Sequence, residues 1–382
     1  MERMIPYGKQ YIDQDDINAV IEVLQGDYLT TGPHVKKFEE NFADYVGAKF
    51  AVAVSSGTAA LHLACLAAGI GKDQEVITSP VTFAASANCA LYIGSIPVFA
   101  DINPSTINID TNEIRKKINS QTRAIIPVHF TGLPCEMKEI QSIARENDLT
   151  IIEDACHALG AGYRGSTIGD CSYSDMTVFS FHPVKHITTG EGGMITTNSE
   201  IYYRRLMSLR THGIIRDSEY LEYESHGGWY YEMQDLGYNY RLTDIQSALG
   251  ISQLKKLNFF LKRRREIAAT YSQMLKELPL ILPHEPDYSQ NAYHLYVVRV
   301  KDSATINRSQ LYSKLRDRGI LCQVHYIPVH TMPYYKRKLG YRLGDFPAAE
   351  EYYQRALSLP VYPGMSGEDL EFVIKNIKEL LT

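Results

Sequence analysis

Apolar residues in the first half of the chain fall into two kinds of stretch that alternate. From Phe50 to about Asn198, short β-branched or compact runs recur at Ala51 to Val54, Glu75 to Thr78, Ile96 to Ala100, Ala124 to His129, Thr150 to Glu153, Thr177 to Phe181 and Gly193 to Thr197. Between them lie amphipathic stretches, at Ala59 to Ala68, Phe83 to Ile93 and Glu136 to Asn147. Runs that are apolar throughout suit strands buried on both faces, and strand-helix alternation joins such strands in parallel. The pattern predicts an α/β fold with a mostly parallel seven-stranded sheet flanked by helices.

After Arg241 the period lengthens to that of helices, through Leu242 to Leu254 and Leu257 to Leu275. A different unit follows. Strand-like Tyr293 to Val300 and Ile320 to Tyr326 alternate with helical Ser309 to Arg318, Pro347 to Leu357 and Gly367 to Leu381, as in a smaller α+β domain. Pro279 to Pro286 reads as a connection. The division drawn from this is a large domain over residues 1–250, N-terminal segment included, and a small C-terminal domain with its linking helices over 251–382.

Composition narrows the function classes. A chain of 382 residues with 45% hydrophobic and 22% charged residues buries a sizeable core. A net charge of −5, with basic runs as short as Lys262 to Arg265, gives no footprint for nucleic acid. No stretch is long and apolar enough for a membrane span and the N-terminus lacks an apolar signal core, so a cytoplasmic protein is expected. The six cysteines form no C-x-x-C pair and the histidines no metal spacing, so no metal is expected. The 27 tyrosines gather around Tyr202 to Tyr240 and Tyr326 to Tyr353, a density suited to an interface or a polar pocket.

The chemistry concentrates between Val178 and Gly193, where an apolar strand runs through Ser180 and His182 to Lys185 and then into a glycine-rich turn. An isolated lysine is ordinarily a solvated surface charge. At the end of a buried strand its amine loses water, its pKa falls, and it becomes able to form a Schiff base. Such a cofactor needs an acid beside its ring nitrogen, and Asp154 ends the strand Thr150-Ile151-Ile152-Glu153. A helix N-cap is the other reading of Asp154, but ligands of open α/β sheets bind beyond the carboxyl ends of strands. A phosphate needs free amides, which Ser55-Ser56-Gly57-Thr58-Ala59 offers between a strand and a helix. Ser180 offers a hydroxyl, and Phe83 either stacks on a ring or sits in the core. No nucleotide-binding P-loop or dinucleotide fingerprint is present.

These pieces, in this order and over essentially the whole chain, resemble the DegT/DnrJ family of sugar aminotransferases, which share the fold type I architecture of aspartate aminotransferase. The likeness is carried by Ser55 to Leu61, Glu153 to Ala161, Phe181 to Gly193 and Leu236 to Asp244. The resemblance implies pyridoxal 5'-phosphate as cofactor, passing through its pyridoxamine form in turnover, with Lys185 carrying it as a Schiff base. By the same likeness Ser56, Gly57, Thr58 and Ala59 hold the phosphate with Ser180, Phe83 stacks on the ring, and Asp154 pairs with the pyridine nitrogen. His157 matches the position that follows the acid. Asn239 matches a residue that reaches the neighbouring subunit's cofactor, which implies a homodimer with shared sites, although a helix cap would also account for it.

Within the family the likeness is greatest to the transaminases of pseudaminic acid biosynthesis, which move an amino group from L-glutamate to C4 of UDP-2-acetamido-2,6-dideoxy-hexos-4-ulose. Tyr7, Leu29, Thr30, Thr31, Gly32, Ser56, His182, Asn239, Tyr326, Pro328, His330 and Thr331 match positions around the sugar nucleotide. Two alternatives stay open: a 3- or 4-aminotransferase for dTDP- or GDP-linked keto sugars, and a cofactor-binding regulatory protein without turnover.

Overall fold

The computed structural model describes residues 3–382. Seven strands form the central sheet: β1 (Phe50–Val54), β2 (Glu75–Thr78), β3 (Ile96–Phe99), β4 (Thr122–Ile126), β5 (Thr150–Asp154), β6 (Met176–Ser180) and β7 (Gly193–Thr197). Their order is β1-β7-β6-β5-β4-β2-β3. The strands are parallel except β7, which runs antiparallel to both β1 and β6. This is the seven-stranded, mostly parallel sheet expected of fold type I. The reversed β7 follows from its connection: the loop over residues 181–192 contains no helix to cross the sheet's face, so the chain turns back beside β6.

Alternation along each strand divides the sheet's two faces. Ala51, Ala53, Ile77, Ile125, Ile151 and Phe179 pack on one side with helices α2 (Pro33–Val46), α5 (Met137–Glu146) and α7 (Asp244–Lys255). Val52, Val54, Val76, Ala124, Ile152 and Val178 pack on the other with α3 (Gly57–Ala67), α4 (Ala85–Tyr92) and α6 (Glu200–Arg210). The sequence also starts its helices locally. Helix α1 (Gln14–Gln25) has a capping box between Asp13 and Asp16, α2 has Pro33 in its first turn, and α7 has a box between Thr243 and Gln246. Phe38 and Phe42 of α2 stand against Phe179 and Phe181, with ring centroids 5.1 to 5.6 Å apart for three of the four pairings. Removing a buried ring such as Phe181 costs about 3–5 kcal/mol, so this cluster fixes the strand that delivers Lys185.

A second core forms around the antiparallel strands Leu280–Ile281, Tyr296–Val300 and Ala356–Leu359. Ala356–Leu359 corrects the sequence reading, which carried the preceding helix through Leu357; the helix ends at Arg355 and the chain turns extended. The extended run expected over Ile320 to Tyr326 is likewise shorter, a two-residue strand at Ile320–Leu321 paired in parallel with Ile5–Pro6. That pairing draws Ile5 into the second core, and the Tyr7 carbonyl accepts from the Val361 N–H at 3.0 Å. Helix α8 (Leu257–Leu275) joins the cores: Leu257, Phe260 and Leu261 pack in the first, Ile267, Ala268 and Tyr271 in the second. Between them Arg264 is 1% exposed, and its Nη1 donates to the carbonyls of Tyr293, His294 and Val361.

Candidate active site

Three adjacent strands place the site. Gly193, the first residue of β7, pairs with Val54 at the end of β1 and with Ser180 at the end of β6. A side chain at Gly193 would stand 2.5 Å from the Ser56 carbonyl oxygen, so only glycine lets these strand ends close up. Beyond them opens a cavity of about 400 Å³. Of the residues singled out in the sequence, Tyr7, Ser56, Gly57, Thr58, Phe83, Asp154, His157, Ser180, His182, Lys185 and Tyr326 line it. Ala59 lies in the same turn, its N–H bound to the Ser56 hydroxyl at 3.1 Å.

The remaining residues lie elsewhere in their own chain. Leu29, Thr30, Thr31 and Gly32 form a loop fastened to the start of α7, where Asp244 accepts from the N–H groups of Gly32 (2.7 Å) and His34 (2.9 Å). Asn239 bridges to Thr211, outside the cavity lining. Pro328 and Thr331 also fall outside it. His330 is fully buried, bound to Glu350 at 3.1 Å and stacked edge-on against Phe346, and this packing replaces the expected substrate contact in its own chain.

Asp154 is 5% exposed and accepts the Cys156 N–H at 3.1 Å and the Ser86 hydroxyl at 2.6 Å. Among the described residues no cation pairs with it, although a buried carboxylate ordinarily has one. Its neighbour Glu153 is not available, being bonded to His129 at 2.6 Å and to Thr177 at 3.0 Å. Lys185 is partly buried, and its side-chain amine makes no hydrogen bond or ion pair among the described residues. Burial holds its ammonium below the ordinary lysine value, Arg264 adding repulsion, against the pull of Asp154. Gly57 opens α3, and a Cβ there would stand 2.9 Å from Ser180 Cβ, so the helix N-terminus and the Ser180 hydroxyl face one another closely. The His157 Nδ1 atom is buried without a partner. An uncompensated acid, a lone amine, a cleared helix N-terminus and an orphaned ring nitrogen fit pyridoxal phosphate at its pyridine, aldehyde and phosphate and beside its ring.

Sequence reasoning missed Thr82, Ser86, Glu191 and His325, which also line the cavity. His325 is held by Ser358 at 2.8 Å and stands 5.0 Å from the Tyr7 ring. A larger, more polar cleft of about 530 Å³ lies between Tyr45, Arg164 and Arg265. Its arginines are already bound, Arg265 to the carbonyls of Gly160 and Asn291 and Arg164 to Glu136, so we place the chemistry in the smaller cavity. No cluster of three or more ligating side chains suited to a metal occurs among the described residues, nor a helix long and apolar enough to cross a membrane.

Around Lys185 the buried histidines His157, His186, His294 and His325 are all held below the ordinary range, chiefly by burial, His325 down to about 3. Unfolded, each takes a proton near pH 6.5. From there down to pH 3 the unfolded chain binds a proton that folded His325 refuses, so stability falls as pH falls through this window. The loss is about 1.4 kcal/mol per pH unit, or on the order of 2 kcal/mol at pH 5 from His325 alone. Urea unfolding at pH 7 and pH 5 is expected to show a lower midpoint in acid, and a shallower pH slope in His325→Asn; equal slopes would count against a neutral buried imidazole.

Residues 10–378 match the DegT/DnrJ/EryC1/StrS aminotransferase family. The chain is 43% identical to the spore coat polysaccharide biosynthesis protein SpsC of Bacillus subtilis, covering 99% of this chain and 97% of that one. It is 38% identical to the UDP-4-amino-4,6-dideoxy-N-acetyl-beta-L-altrosamine transaminase of Campylobacter jejuni, covering 99% and 98%. Among solved structures, Helicobacter pylori PseC, an aminotransferase involved in the biosynthesis of pseudoaminic acid, superposes with a TM-score of 0.91 at 32% identity over 99% of both chains. Solved relatives include both pyridoxal-phosphate and pyridoxamine-phosphate forms. The chain belongs to the DegT/DnrJ/EryC1/StrS family and is a pyridoxal-phosphate-dependent sugar aminotransferase.

Proposed function

We propose that this enzyme transfers the amino group of L-glutamate to C4 of UDP-2-acetamido-2,6-dideoxy-hexos-4-ulose, giving UDP-4-amino-4,6-dideoxy-N-acetyl-altrosamine, in pseudaminic acid biosynthesis. The pairing of an unpartnered Lys185 with an uncompensated Asp154 in one cavity carries the chemical part of this reading. The likeness to the Campylobacter transaminase and to PseC supports the substrate. When bound, pyridoxal phosphate with a protonated ring supplies an electron sink for a carbanion at the amino-bearing carbon. Asp154 keeps that ring proton in place. Lys185, its pKa lowered by burial, takes the proton from the donor's Cα and returns one to the sugar's C4. The N-terminus of α3 and the Ser180 hydroxyl hold the phosphate. Phe83, 61% exposed in this chain and 6.1 Å from the Tyr326 ring, covers the ring's face.

We assign Tyr7, His182 and Tyr326, which line the cavity, to the sugar. Asn239 and the loop Leu29 to Gly32 lie outside their own cavity but belong to one edge: the Thr30–Thr243 bridge and the Ser55 N–H bond to the Tyr240 carbonyl tie them together. We assign that edge to the partner's site in a cytoplasmic homodimer. A second reading, amination at C3 or C4 of a dTDP- or GDP-linked keto sugar, keeps support from the higher identity to SpsC, whose name specifies no nucleotide.

Incubating the enzyme with glutamate and a panel of UDP-, dTDP- and GDP-linked 3-keto and 4-keto sugars, then locating the new C–N bond by NMR, decides between them. The expected product is the UDP-linked 4-amino sugar together with 2-oxoglutarate. A misplacement of about 1 Å at the reacting carbon can cost roughly 100-fold in rate, so a single regiochemistry is expected. Amination at C3, or turnover only with another nucleotide, would overturn the substrate assignment while leaving the cofactor chemistry in place.

A further inference from the structure

Asp154 is held on one oxygen by a backbone amide and on the other by a single side chain, Ser86. The Ser86 Oγ stands 2.6 Å from Asp154 Oδ2 and 2.7 Å from the Thr82 Oγ1, and both hydroxyl residues are 1–2% exposed. Directions follow from the chemistry. An ionised carboxylate only accepts, so Ser86 donates its one hydrogen to Asp154 and accepts the hydrogen of Thr82. The Phe83 carbonyl at 3.3 Å is left as a bystander. The segment leading into α4 thus presents Phe83 to the cavity, and the helix's first turn grips the acid through Ser86.

We propose that Ser86, backed by Thr82, is the positioning residue that keeps the Asp154 carboxylate turned toward the cofactor's ring nitrogen. This rests on the reading of Asp154 as that nitrogen's partner. Two donors on two oxygens fix the rotation of the carboxylate plane. Without Ser86, Asp154 has one donor, a freer side chain and a weaker claim on a ring proton.

The test compares the wild type with Ser86→Ala, Thr82→Val, Asp154→Asn and the Ser86→Ala/Asp154→Asn double variant. Each apo-protein is titrated with pyridoxal phosphate by visible absorbance, and its melting temperature is read before addition. Ser86→Ala is expected to weaken cofactor binding on the order of 10-fold or more, as for a lost hydrogen bond to a charged group, and Thr82→Val by less. The pH midpoint of the visible band should move up in Ser86→Ala, because a less fully protonated ring draws fewer electrons from the Schiff-base nitrogen. In the Asp154→Asn background Ser86→Ala should add nothing, the sign of two residues acting as one unit.

If Asp154→Asn loses affinity while Ser86→Ala binds as tightly with an unmoved band, Ser86 has no such role and the reading of Asp154 stands. An Asp154→Asn protein that binds and absorbs like the wild type would remove that reading and this proposal together. A Ser86 effect undiminished in the double variant would mean a structural defect and overturn the proposal. Should Ser86→Ala lower the melting temperature of the apo-protein, Thr82→Val, which leaves Ser86 in place, decides by the same midpoint: a shift supports the relay and an unmoved band ends it.

Discussion

Borohydride reduction of the yellow holoenzyme is expected to fix the cofactor on the peptide that carries Lys185, and Lys185→Ala is expected to lose both the fixation and turnover. The expectation follows from position. Lys185 stands in the turn five residues beyond β6, where Phe179 and Phe181 are clamped by Phe38 and Phe42, with an amine that no carboxylate neutralises among the described residues. A surface lysine would be paired or hydrated and fully charged; burial moves this one toward the neutral amine that attacks an aldehyde. The same amine then serves as general base and acid, a role worth roughly 100- to 10,000-fold by itself, so its loss together with the covalent anchor removes more than either alone. Peptide mapping after reduction is the check. A label on any other lysine would dismantle the assignment of the cavity, since no second lysine lines it.

Co-expression of Lys185→Ala chains with Asn239→Ala chains should restore activity that neither variant has. In a dimer with shared sites, a mixed pair contains one site bearing both lesions and one bearing neither. Random pairing makes about half the dimers mixed, so recovery near a quarter of the wild-type rate is expected. The structure bears on this because Asn239 is not among the residues that line its own chain's cavity and is held in an extended pairing with Thr211. Two differently tagged chains, purified through both tags, isolate the mixed dimers. Verified mixed dimers with no activity, from two inactive parents, would refute the exchange of Asn239 between subunits.

Lys185 and Asp154 were legible in the sequence because each ends an apolar run, and an apolar run of that length among helical stretches is a buried strand. The glycines after Lys185 reinforced it, and Gly193 indeed sits where a Cβ would meet Ser56. The strands themselves were found where β-branched residues cluster. Their spatial order was not, since nothing local in Thr177 to Phe181 announces that β6 lies beside a strand 17 residues later and then one more than 120 residues earlier. Ser86 was invisible for a related reason. It lies among Ala84, Ala85 and Ala87, where a serine reads as helix filler, and acquires meaning only when α4 sets its first turn against the end of β5. His330, which the family resemblance set near the sugar nucleotide, finds its partner Glu350 inside the fold, a contact 20 residues away that no local pattern announces. Ala356–Leu359 was hidden by continuity, its leucines extending the apolar rhythm of the helix before it.

The guanidinium of Arg264 ties α8 to the C-terminal unit. Burial lowers its pKa to about 10, which still leaves it charged at neutral pH, and Nη1 is shared by three carbonyls from two chain segments. One of those carbonyls belongs to His294, whose ring lies 4.3 Å from that of His157; another belongs to Val361, whose amide holds Tyr7. Swinging the C-terminal unit about α8 would pull these acceptors off a cation that water cannot reach, at a cost of several kcal/mol. The helix thus acts as a bolt where many two-lobed enzymes have a hinge. Through Val361 and His294 the same cation is linked to Tyr7 and His157, two residues of the cavity lining.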